Sequence, residues 1–269
     1  MLPNRQHVVH SATLLCSHCP AFVLPVPGTM IESLRLNKYL ADRYSCSRRQ
    51  AENFIEGGFV RVDGRVIEEP GFRVGPQQKV ELAENAHAED HQPATILLNK
   101  PAGYGLDSTS PSHDLIVAAN HAADDASERP FLKRDLKELT LSMPLDRQAS
   151  GLVVFTQNPV IARKLLKDAA KIEHEYIAEV EGELSPGGLA RLNHGLLWQG
   201  SPLPPAKVSW QNETRLRFAL KNPTVDLIAD MCRQVGLTLT GIRRIRIGRV
   251  PMSRLASGQW RYLSDGERF

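Results

Sequence analysis

Residues 143–151 read MPLDRQASG and run straight into LVVFTQN. A lone carboxylate, Asp146, therefore stands at the mouth of a continuous apolar run of strand length. An acid in that position is either a turn residue or a reagent. Further on, EYIAEVEGEL alternates Tyr176, Ala178 and Val180 against Glu175, Glu179 and Glu181, which turns Tyr176 inward with small apolar residues. Alternation in IRRIRIG sets Arg244 and Arg246 on one strand face, suited to phosphate contact, and Arg243 with Ile245 and Ile247 on the other. No second acid, His or metal cluster stands at suggestive spacing from Asp146, which argues against a carboxylate-dependent hydrolase.

Charge points to the partner. Net charge is only +3, but residues 35–49 carry five basic groups against one Asp, and residues 242–269 carry seven Arg against Asp265 and Glu267. Between them, residues 83–130 carry eight acidic groups against Lys100 and Arg129. Two basic regions flanking an acidic one fit a polyanion such as nucleic acid. The cysteines make no disulfide framework: Cys16 and Cys19 form a single CSHC without the second pair a zinc site needs. Neither metal nor cofactor is expected. No apolar stretch approaches the roughly 20 residues of a membrane span, so a soluble, cytoplasmic chain is expected, as a monomer.

The elements that must hold these residues follow from patterning. Residues 1–30 match no secretory signal; they read as a disordered extension, or as a misassigned start with translation beginning at Met30. Leu34, Leu36, Tyr39 and Leu40 fit a short helix, and Ser45 or Ser47 can cap a second, SRRQAENFIEGG, which stops at Gly57 and Gly58. FVRVDGRVIEE carries a hairpin with an Asp63-Gly64 turn, and FRVGPQQKVEL supplies another short strand pair. This small module spans residues 31–82, and residues 83–94 are a polar linker. A larger domain, 95–269, opens on the strand TILLNKPAG. Residues 106–130 read mostly as loop, Pro159 suits a helix start, and a further strand (TRLRFALKN), a helix (VDLIADMCRQVG), the strand GIRRIRIG and a closing WRYL follow. Strands outnumber helices and intermix with them, which predicts an α+β domain on a largely antiparallel sheet.

The stretch RLNKYLADRYSCSRRQAENFIEGGFVRVDGRVI resembles, almost end to end, the RNA-binding domain named for ribosomal protein S4. The segments NKPAG, LDRQASGL, EYIAEV, MCRQVGLTL and IRRIRIG, in that order, resemble the catalytic domain of bacterial ribosomal RNA pseudouridine synthases of the RsuA and RluF group. That resemblance implies an enzyme isomerising uridine to pseudouridine in structured RNA, with ribosomal RNA the expected substrate and transfer RNA the alternative. It maps the essential Asp onto Asp146 and the active-site Tyr onto Tyr176, which would stack on a base flipped from its helix. It places Arg35, Lys38, Arg43, Arg48, Arg49 and Arg61 of the small module on RNA, joined by Arg244 and Arg246.

Three departures from the family pattern matter. Pro144 stands where relatives carry an Arg that enters the RNA stack, and Ala149 replaces a Thr. In the helix, three family arginines become Asp226, Ala229 and Asp230, and a basic group of that segment pairs with the catalytic carboxylate in the family. Loss of the partner keeps open a second reading, an RNA-binding or ribosome-assembly factor that retains the fold with impaired catalysis. Arg147, Arg243 and Arg244 are the residues that could replace the charge.

Overall fold

A computed structural model describes residues 33–88, 91–105, 111–127, 129–221 and 223–269. The expectations for residues 1–30, including the start at Met30 and the CSHC pair, lie outside the described residues.

The N-terminal module pairs two helices, α1 (Leu36–Tyr44) and α2 (Arg48–Glu56). Leu36 and Leu40 of α1 and Ala51 and Ile55 of α2 bury fully, at the i, i+4 spacing of one helix face. Ser47 caps α2 in a reciprocal box with Gln50, which satisfies two backbone donors at the helix start. A hairpin, β1 (Val60–Val62) and β2 (Arg65–Val66), turns at Asp63 and Gly64, both at positive φ as a two-residue turn of this hand requires. The next two strands pair differently from the expectation. Arg73–Val74 joins Leu34–Arg35, while β3 (Val80–Leu82) adds to β1, so they close the module instead of pairing with each other.

The second part of the chain is built on one mixed sheet. Its strands are β4 (Thr95–Lys100) and β5 (Ser150–Thr156), then β6 (Glu173–Gly182) after helix α3 (Pro159–Lys167). After helix α4 (Gly188–Asn193) come β7 (Lys207–Asn212) and β8 (Arg215–Lys221), then helix α5 (Val225–Arg233), β9 (Leu237–Ile247) and β10 (Trp260–Tyr262). The spatial order is β7-β8-β6-β9-β5-β4-β10, with short strands Thr140–Leu141 and Val250–Pro251 added beside β5 and β9. Every pair is antiparallel except β5 with β9, which is the mainly antiparallel α+β architecture expected.

LVVF is apolar at every position because β5 is covered on both faces. Val153 and Phe155 pack with Ile96, Leu98 and Tyr176 on one side, and Leu152 and Val154 pack with Leu97, Leu165 and Ile247 on the other. The two parts of the chain meet through the pairs Lys133–Glu69 and Lys137–Glu56. Among the described residues no helix is long and apolar enough to cross a membrane.

Candidate active site

The MPLDRQASG segment is a turn leading into β5. The Ala149 N–H donates to the Asp146 carbonyl at 3.1 Å, and the Gly103 N–H donates to the Arg147 carbonyl at 2.8 Å, tying the turn to the loop after β4. Asp146 is exposed, whereas Leu145 and Ala149 on either side are buried and anchor the turn by its apolar groups. Ser150 does not replace the missing Thr hydroxyl: its Oγ donates to the Ile242 carbonyl at 3.3 Å.

Asp146 lies on the wall of a cavity of about 720 Å³. Opposite walls come from Tyr176 and His174 of β6, Leu165 and Leu166 of α3, and Thr224, Val225 and Asp226 at the start of α5. Strand register explains the gathering. Arg244 on β9 lies opposite Tyr176 on β6 and opposite Gly151 on β5, so one row across three strands leads to the Asp146 turn. Tyr176 is 2% exposed, as the inward alternation requires.

Two buried cations stand behind the turn. The Arg244 guanidinium is 2% exposed and donates to the carbonyls of Met143 (2.6 Å), Leu152 (2.7 Å) and Pro144 (3.3 Å). Lys100 ends β4 at 1% exposure, and its Nζ donates to the carbonyls of Ala149 (2.6 Å), Tyr104 (2.7 Å), Pro101 (3.1 Å) and Arg147 (3.4 Å). Burial, then the nearby Arg244 charge, pulls the Lys100 pKa down to about 8, and the Asp146 carboxylate pulls the other way. Asp146 is thus within electrostatic reach of a buried ammonium.

These positions correct two expectations. Arg244 does not present its guanidinium to phosphate, because the protein's own carbonyls occupy it. Arg246 is likewise taken, by Glu175 at 2.7 Å and Glu173 at 2.6 Å, which raises its pKa. A register shift between Arg244 and Arg246 opposite β6 breaks the simple alternation that had put both on one face. Of the acids standing for family arginines, Asp226 lines the cavity, while Asp230 is held by Arg233 and by Gln234 at 2.7 Å. In the first module Arg35, Lys38, Arg43, Arg48, Arg49 and Arg61 are all exposed, and none of them lines the cavity.

Lys100 and His174 are the site residues that patterning missed. NKPAG showed Lys100 only as the end of an apolar strand, where a lysine ordinarily reaches solvent. His174 was detectable, since it lies two residues before Tyr176 on the same inward face.

The Lys100 environment has a measurable consequence. Between pH 8 and 10.5 an unfolded chain keeps this lysine protonated while the folded protein releases its proton. Stability therefore rises with pH across that window. Denaturant titrations at successive pH values should show this slope in wild type and lose it in Lys100→Met; equal slopes in both proteins would place Lys100 in a water-like setting.

Comparison with known proteins accords with this geometry. A family model described as "S4 domain" matches residues 34–80, and one described as "RNA pseudouridylate synthase" matches residues 94–222. The dual-specificity RNA pseudouridine synthase RluF of Escherichia coli (strain K12) is 30% identical, over 87% of this chain and 77% of its own. Ribosomal small subunit pseudouridine synthase A of Salmonella typhimurium is 25% identical, over 87% of this chain and 98% of its own. The fold matches a crystal structure of a pseudouridylate synthase with a TM-score of 0.54 at 19% identity, covering 86% of this chain and 96% of that one. With an S4 module ahead of a synthase sheet and a relative alike over most of both chains, this protein belongs to the RNA pseudouridine synthase family of RluF and ribosomal small subunit pseudouridine synthase A.

Proposed function

We propose that this protein converts uridine to pseudouridine in ribosomal RNA, with Asp146 as the catalytic carboxylate. The observation that carries the proposal is the placement of Asp146: exposed on the wall of a cavity with room for a nucleotide, which Tyr176 also lines, over a turn held from behind by Lys100 and Arg244. In the reaction the bond from ribose C1′ to N1 breaks and the freed base turns. A bond from C1′ to C5 then forms, the C5 proton leaves and N1 takes up a proton. A carboxylate at the sugar serves this chemistry as a nucleophile, as a stabiliser of positive charge at C1′, or as a base. Tyr176 offers its ring face to the flipped uracil, and the apolar wall of Leu165 and Leu166 offsets the few kcal/mol of unstacking.

The lost helix arginines favour the second reading, an RNA-binding factor. Against it, the buried ammonium and guanidinium under the turn supply positive charge from β4 and β9 that the helix no longer supplies. Residues 31–82 then grip RNA through Arg35, Lys38, Arg43, Arg48, Arg49 and Arg61, residues 83–94 link, and residues 95–269 catalyse.

The test is to incubate the protein with unmodified ribosomal RNA, and separately with transfer RNA, and map pseudouridine by carbodiimide-dependent reverse-transcription stops. A new stop in ribosomal RNA is expected. Binding without any new stop in either RNA would favour the assembly factor.

The grip has its own signature. Arg43→Ala with Arg48→Ala should weaken RNA binding and make log K against log salt shallower by roughly 0.7–0.9 for each phosphate that the protein no longer neutralises. An unchanged slope would take both residues off the interface.

A further inference from the structure

Resting on the reading that the Asp146 cavity receives a uridine, we propose that His174 is the residue that recognises the uracil itself, its neutral imidazole accepting a hydrogen bond from the N3–H of the flipped base. His174 is 3% exposed, and both of its ring nitrogens are buried with no hydrogen-bond partner. Buried polar groups in folded proteins are nearly always paired, and leaving one unpaired costs on the order of 1–3 kcal/mol. An unpaired pair of ring nitrogens in the wall of a ligand cavity is therefore a place where a ligand's polar group belongs.

Position and protonation fit that role. His174 and Tyr176 are neighbours on one face of β6, with rings parallel to within 6° and centroids 6.4 Å apart. Both residues line the cavity, so a base held in it meets the two together. Burial, followed by the charges of Arg244 and Arg246, pushes the His174 pKa down to about 3, so the ring is neutral at any physiological pH. A neutral imidazole has one N–H donor and one bare acceptor nitrogen. Uracil's imide edge offers the complement of each, an N3–H flanked by two carbonyls.

The geometry of the reaction makes this edge the useful one to hold. When uracil turns so that C5 replaces N1 at the sugar, the turn runs about the line through N3 and C6. The two carbonyls exchange places while N3–H stays where it was. A residue bonded there keeps its hydrogen bond before and after the rotation, whereas one bonded to N1 or C5 would lose it. Cytosine has no N3–H and carries an amine in place of one carbonyl, so the same hydrogen bond disfavours it. Closing around the base requires the cavity wall to give slightly, because the ring nitrogens are now sealed. The exposed Leu166 and the 143–147 segment line the same cavity.

The test compares wild type with His174→Phe, His174→Asn and His174→Gln by tritium release from unmodified ribosomal RNA carrying [5-³H]uridine, with RNA affinity and melting temperature measured in parallel. Phe fills the space and removes both unpaired nitrogens, so it should fold at least as stably as wild type. Its tritium release should fall roughly tenfold to a hundredfold, the worth of one hydrogen bond at an enclosed site. Asn or Gln should restore part of the loss by returning a polar atom near one ring nitrogen. Phe within twofold of wild type, or Asn and Gln both as slow as Phe, would overturn the assignment while leaving the synthase reading intact. Absence of tritium release from wild type would remove the synthase reading and this assignment with it.

Discussion

Asp146→Asn is expected to lower pseudouridine formation by ~10³-fold or more, with melting temperature and RNA affinity unchanged. The amide keeps the shape of the carboxylate but neither attacks as a nucleophile nor holds a negative charge beside C1′. The fold should not notice. Asp146 is exposed, and the turn is closed by its backbone carbonyl, which the substitution leaves in place. Removing the charge should also be felt by Lys100, whose ammonium Asp146 helps to keep protonated. Its titration should move further below 8 in the variant, which gives an electrostatic readout that does not depend on turnover. Measured rates within tenfold of wild type would assign the chemistry elsewhere. A large loss of stability would make Asp146 a structural turn residue.

Periodicity carried the parts of this molecule where one side chain pattern has one meaning. LVVF had the length and composition of a buried strand, which the structure covers on both faces, and the alternation around Tyr176 turned that ring inward without reference to any neighbour. The Asp63-Gly64 hairpin and the Ser47 cap were readable because each is a local rule of backbone geometry. Helix α4 and strand β7 went unread: Gly and Pro interrupt residues 186–205, and β7 follows directly on them. The larger failure concerned arginines. Arg244 in a strand of alternating charge reads as a surface residue, because nothing local says that the carbonyls of Met143, Pro144 and Leu152 will converge on it from 90 and more residues away. Lys100 was missed for the same reason: its four acceptors come from two loops that only the sheet brings together. Buried cations solvated by backbone are tertiary facts, and here they make up the electrostatic half of the site.

Gly151→Ala is expected to be the most damaging single methyl in the catalytic sheet, costing about 4 kcal/mol and lowering the melting temperature by about 10 °C. Gly151 sits at φ +110°, a conformation L side chains rarely adopt, and a Cβ there would lie 2.2 Å from the Arg244 carbonyl oxygen and 2.6 Å from the Arg244 nitrogen. Backbone atoms cannot swing aside as a side chain tip can. Either β5 parts from β9, breaking their parallel pairing, or the turn bearing Asp146 is displaced with Arg244's hydrogen bonds to it. Gly64→Ala is the control: φ is +79° but nothing lies within 4 Å, so only the backbone penalty of about 1 kcal/mol applies. Equal effects of the two substitutions in a denaturant titration would mean that β5 and β9 do not approach so closely. Activity should fall in Gly151→Ala together with stability, whereas in Asp146→Asn it should fall alone. That difference would separate a reagent at the end of the turn from the strand pair that holds the turn in place.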